Sequence, residues 1–65
     1  MRYAMINVVS NRVENIIELS DKWPKDKSWD CPKGYYMVDS DFGNIGDAFD
    51  RDTGAFNRPA DANAA

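Results

Sequence analysis

The chain has no histidine and a single cysteine, Cys31, among its 65 residues. Without histidine it lacks the commonest general base at neutral pH and the usual zinc ligand. A lone cysteine excludes an intrachain disulfide. Cys31 reads as a small, partly buried thiol, with a reactive or intermolecular cysteine as the alternative. No apolar run approaches the ~20 residues of a membrane span. No basic segment followed by an apolar stretch marks a secretory signal, so the expected setting is reducing and aqueous. The net charge of −3 is spread over interleaved acids and bases. That leaves no electrostatic footprint for nucleic acid and disfavours an anionic membrane surface.

Reactive constellations are missing too. Ser10, Ser20, Ser28 and Ser40 have no base to activate them. The carboxylate pairs Asp39/Asp41 and Asp50/Asp52 lie in so thin a shell that little interior exists to raise a pKa. Asp39-Ser40-Asp41-Phe42-Gly43-Asn44 begins like a calcium loop, with acids at its first and third positions. Its glycine, however, falls one place early, and Asp50 stands where a glutamate belongs. Asp50-Arg51-Asp52 puts a cation between its acids, so turn chemistry is the expectation at both places. Neither an enzyme nor a cofactor or metal site is expected.

What remains is a domain rich in large side chains. Hydrophobic residues make up 43% and aromatics 12%, too many for a disordered chain. One small domain is expected over residues 1–59, burying about 60% of its unfolded surface. Such a domain, with neither disulfide nor metal, commonly leans on a partner or on itself.

The stretch Ile45 to Pro59 organises the rest. Phe49 and Phe56 flank Asp50-Arg51-Asp52-Thr53-Gly54, where Gly54 can take positive φ and the aspartates can bond their own backbone. The spacing predicts a hairpin with Asp47 to Asp50 paired to Ala55 to Arg58, ended by Pro59. Earlier, Met1 to Val9 reads as a strand with Tyr3, Met5 and Asn7 on one face and Ala4, Ile6 and Val8 on the other. Ser10-Asn11 is a turn, since asparagine tolerates the left-handed conformation. Arg12 to Leu19 follows as a second strand whose Val13, Asn15, Ile17 and Leu19 share a face. A helix competes there, because Val13/Ile16/Ile17 and Glu14/Glu18 also fit helical spacing. Residues 20–33, interrupted by Pro24 and Pro32, form a long solvated loop. Gly34 to Ser40 is a third strand, and Asp41 to Gly46 a loop. The predicted fold is all-β: a small antiparallel sheet of about four to five strands. It comprises an N-terminal hairpin, the Trp-bearing loop, a third strand and the C-terminal hairpin. Residues 60–65 form an extended, Ala-rich tail.

These landmarks fall in a recognisable order: Tyr3-Ala4, Val13-Glu14-Asn15-Ile16-Ile17, a Trp-containing loop, and Pro32 to Tyr35. Ile45-Gly46, an aromatic-Asp turn, Gly54-Ala55-Phe56 and Pro59 close it. The pattern resembles small proteins and modules encoded among tailed-bacteriophage virion genes, often near tail and tail-fibre genes. It departs from them at Asp47, where a tryptophan is usual, at Phe49, where a tyrosine is, and in a longer turn over Arg51 to Gly54. The resemblance implies a non-enzymatic β module of the virion, assembled in the host cytoplasm, tail-associated or capsid-decorating. Its partners would be larger tail, fibre or capsid subunits, possibly itself, with no nucleic acid or membrane. An assembly factor such as a tail-fibre chaperone is the alternative, followed by a small acidic inhibitor of a host enzyme.

Docking of this kind would fall to exposed aromatics and strand edges. The candidate interface residues are Trp23, Trp29, Tyr35 and Tyr36, with Ala60, Asp61, Ala62 and Asn63 lying along a neighbour. Trp23 and Trp29 could instead fold back to cap the core, or anchor an interface, where tryptophan is enriched. Trp29→Ala is expected to lower incorporation into the particle more than it lowers the unfolding midpoint of the free chain. Equal losses in the two measurements would make Trp29 a core residue.

Overall fold

The structure, a computed structural model, describes residues 1–58. Pro59 and the tail, with the candidates Ala60, Asp61, Ala62 and Asn63, lie outside the described residues. Five strands form: β1 (Arg2–Asn7), β2 (Val13–Glu18), β3 (Tyr35–Asp39), β4 (Ala48–Phe49) and β5 (Phe56–Asn57). Every pairing is antiparallel. The helix that competed for residues 12–19 does not form, because β2 pairs its backbone with β1 from Glu18 back to Val13.

The strands divide into two sheets, where the sequence had suggested one. β2-β1-β3 is the larger, with β1 in the centre, and β4-β5 is a separate ladder. The predicted hairpin register holds, with Ala48 opposite Asn57 and Phe49 opposite Phe56. A short seam joins this hairpin to the outer edge of β2. There Arg12 bridges Ala48, Val13 N–H donates to Asp47 O (2.9 Å), and Phe49 N–H donates to Asn11 O (2.7 Å). Pairing stops after these few residues, and Phe49 and Phe56 turn inward against the core of Ala4, Ile6 and Val13.

That core depends on a register shift. Tyr3, Ala4 and Met5 face Ile17, Ile16 and Asn15, but Ile6 faces Val13 and leaves Glu14 without an opposite residue. Unbulged alternation would have placed Glu14 opposite Ile6. The bulge removes the carboxylate from the core side and puts Val13 there, since a bulge lets two residues oppose one. This corrects the grouping of Val13 with Asn15 and Ile17: Val13 shares its face with Ile16. Tyr36 and Val38 of β3 complete the face, partly buried against the same cluster.

The opposite face of β1 is covered as well. Tyr3 is 8% exposed, with the Trp23 ring edge-on to it at 5.2 Å and 74°. Trp29 packs on Trp23 at 5.9 Å, and Trp23 Nε1–H donates to Trp29 O at 2.7 Å. The loop over residues 20–33 therefore folds back onto the sheet.

Gly43 links the two sheets. Its φ is +88°, and a Cβ at this position would lie 2.6 Å from the Phe56 ring. Gly34 has a similar φ of +90° with open space around it, so it serves as the control. Both Gly→Ala changes force a side chain into left-handed backbone, at about 1–2 kcal/mol. Gly43→Ala adds an overpacking penalty of about 1–3 kcal/mol. In urea unfolding, Gly43→Ala is expected to lose clearly more stability than Gly34→Ala.

Candidate docking surface

The bulge that frees Glu14 also builds a polar contact on the far face. Glu14 Oε2 accepts from Asn7 Nδ2 and Glu14 Oε1 from the Tyr35 hydroxyl, both at 2.8 Å. Tyr35 is thus half-buried and tied to its own sheet. Tyr36, on the other side, has a different task. Its hydroxyl donates to Asn11 Oδ1 (3.0 Å), the Arg51 guanidinium lies 4.5 Å from its ring centroid, and Phe49 packs on it at 6.3 Å. Arg51 Nε also reaches Asn11 Oδ1 at 3.1 Å. Asn11 holds φ +57°, the left-handed turn conformation read from the sequence, and there it joins both hairpins.

The sequence-derived candidates thus do not converge on one patch. Trp23 and Trp29 cover the Tyr3 side, Tyr35 borders the Glu14 contact, and Tyr36 packs toward the core. Trp23, Trp29, Tyr35 and Tyr36 are all half-buried. Cys31 is half-buried too, its Sγ 3.4 Å from Tyr35 O. Burial pushes the thiol above its ordinary range, which keeps it protonated and weakly nucleophilic near neutrality.

Among the described residues, backbone geometry leaves much of the outer edge of β3 open. Val8 N–H donates to Gly34 O and Ser40 N–H to Arg2 O, so the even-numbered residues of β3 direct their backbone groups toward β1. Tyr35, Met37 and Asp39 direct theirs outward. The outward groups of Tyr35 are occupied, its N–H by Pro32 O (3.3 Å) and its carbonyl by Cys31. Met37 and Asp39 have no outer backbone partner among the described residues. The β4 seam covers the outer side of β2 only at Arg12 and Val13, next to the bulge. Ile16 and Glu18 also direct backbone groups outward, with no backbone partner there among the described residues.

Val8, grouped by alternation with Ala4 and Ile6, lies past the end of β1 and is exposed. Val9 in the first turn and Phe42 and Ile45 in the loop after β3 are exposed. The signal for the latter pair was available: two large apolar side chains in DFGNIG, among turn-formers and outside any strand alternation. Two arginines fasten this loop. Arg2 donates from Nη1 to Ser40 O (3.2 Å) and Phe42 O (2.9 Å), and from Nη2 to Gly43 O (2.7 Å). Arg12 Nη1 donates to Gly46 O at 3.1 Å.

Among the described residues, no group of three or more His, Cys, Asp or Glu side chains is placed to hold a metal ion. A recess of about 550 Å³ is lined by the consecutive residues Asp21 to Asp26, a fold in one loop and not a cleft between elements. Comparison of the chain with protein-family models, curated proteins and solved structures gives no match.

The Glu14 contact makes a titration prediction. The neighbouring carboxylate holds the Tyr35 phenol above its ordinary value, by hydrogen bond first and by charge second. Because the folded value is raised, the contact contributes below the unfolded tyrosine value of about 10 and is lost as pH rises through the folded one. In a 295 nm absorbance titration, Glu14→Gln is expected to move one tyrosine downward in pH.

Proposed function

We propose that this chain is a non-enzymatic structural or accessory component of a bacteriophage particle, tail-associated or capsid-decorating, that docks on larger virion proteins. The observation that carries the docking part is the outer edge of β3. An unpaired strand edge is a template for another chain, and proteins normally blunt it with lysine, proline or a bulge. β3 carries none of these between Tyr35 and Asp39. The virion part rests on the resemblance in the order of Tyr3-Ala4, Val13 to Ile17, Pro32 to Tyr35 and Gly54 to Phe56.

Docking by strand addition suits a chain this small. Ladder bonds supply affinity without a deep core, and side chains on alternate faces supply specificity. Tyr35, Met37 and Asp39 would flank an added strand on the Tyr3 side, and Tyr36 and Val38 on the core side.

Two measurements test the reading. Mass spectrometry of purified particles is expected to find the chain. Its presence in infected cells but absence from particles would replace a resident component with an assembly factor. Amide exchange on the free chain is expected to be faster at Met37 and Asp39 than at Tyr36 and Val38. Equal protection at all four would remove the open edge and, with it, the support for strand addition.

A further inference from the structure

The loop after β3 combines a fastened backbone with exposed apolar side chains. Its backbone is fixed at many points: the three Arg2 contacts, the Arg12 contact, Phe42 N–H to Ser40 Oγ (2.9 Å) and Asn44 N–H to Asp47 Oδ2 (2.8 Å). Gly46 N–H donates to Val13 O at 2.8 Å, and Gly43 is set against Phe56. Yet Phe42 is 77% and Ile45 64% exposed. A scattered exposed apolar residue needs no explanation. Here, however, Phe49 and Phe56 pack against the core, while the third phenylalanine points outward from a fastened loop.

We propose that residues 40–47 form a preorganised docking element whose Phe42 and Ile45 enter an apolar socket with a basic rim on a partner protein. The proposal rests on the reading that the chain works by docking, and it adds the contact residues and the partner's chemistry. Preorganisation favours binding because little ordering remains when the partner arrives. Charge decides the rim. Residues 34–50 contain Asp39, Asp41, Asp47 and Asp50 and neither lysine nor arginine. Arg2 and Arg12, whose donors turn inward to the loop carbonyls, bring two positive charges against these four aspartates, so the surface stays acidic on balance. A basic rim therefore complements the surface around Phe42. A second copy, also carrying −3, and an anionic lipid surface do not.

The test uses the full-length chain and a displayed library of random dodecapeptides. Peptides are panned on the wild-type protein and counter-selected on the Phe42→Ser/Ile45→Ser double variant. Enriched peptides are expected to combine apolar residues with flanking Lys or Arg. Each single substitution should weaken them about tenfold, the scale of an interface hot spot. Phe42→Leu should retain binding. Since both residues are exposed, amide spectra and unfolding midpoints should match wild type. Asp41→Lys, which leaves both apolar side chains in place, should weaken the same peptides if Phe42→Ser disturbs the fold. Enriched peptides that are acidic, or indifferent to all these changes, would overturn the proposal. So would dimerisation in sedimentation, or binding to phosphatidylcholine vesicles, that Phe42→Ser abolishes. None of these outcomes depends on whether purified particles contain the chain, so failure here and failure of the virion reading are separate results.

Discussion

The single unpaired residue at Glu14 decides how this chain folds. With strict alternation through β2, a carboxylate would face Ile6 in the centre of the sheet, where an uncompensated charge is costly. The bulge moves Val13 into that place and directs Glu14 to partners on the other side, Asn7 and Tyr35. One irregularity thus builds the apolar core and a polar contact on its reverse. It also bends the start of β2, where the second hairpin attaches through Arg12, Val13 and Asn11.

Around so small a core, the fold relies on side chains that reach far. Ala4, Ile6 and Val13 form the buried cluster. Beyond it, aromatic contacts run from Tyr36 to Phe49 to Phe56 on one face and from Tyr3 to Trp23 to Trp29 on the other. Arginines fill the role that aliphatic packing has in larger domains: Arg2 and Arg12 hold one loop, and Arg51 covers Tyr36. The planar fork of arginine suits this use, since one guanidinium can satisfy several carbonyls in fixed directions.

Much of this was legible in the sequence, for identifiable reasons. Alternation in β1 separated Ala4 and Ile6 from Tyr3 and Met5, and Asn11 and Gly54 marked two of the turns that hold positive φ. The bulge was not legible, because a register shift leaves no residue signature of its own. Its trace was present, however: the Val13/Ile16 spacing that imitates a helix is what a bulged strand produces when residues three apart share a face. The arginine contacts were hidden for another reason. Arg2 lies about forty positions from the carbonyls it holds, and such pairings follow from topology and not from local pattern. Of the sequence-derived candidates, Tyr36 is half-buried against the core cluster. Phe42 and Ile45 went unnoticed because a loop rich in Gly and Asp reads as a connection and not as a display.

The placement of Trp23 edge-on to Tyr3 has a consequence for spectroscopy. Both tryptophans sit on one side of β1, while the opposite side is lined by Tyr36, Phe49 and Phe56. Excited tyrosine transfers energy efficiently to an indole at such close range, so the ratio of their emissions reports whether the long loop is seated. Near-ultraviolet dichroism from the phenyl side reports the C-terminal hairpin. The two layers of this molecule therefore carry different optical labels, and detachment of one layer can be told from collapse of the whole without adding a dye.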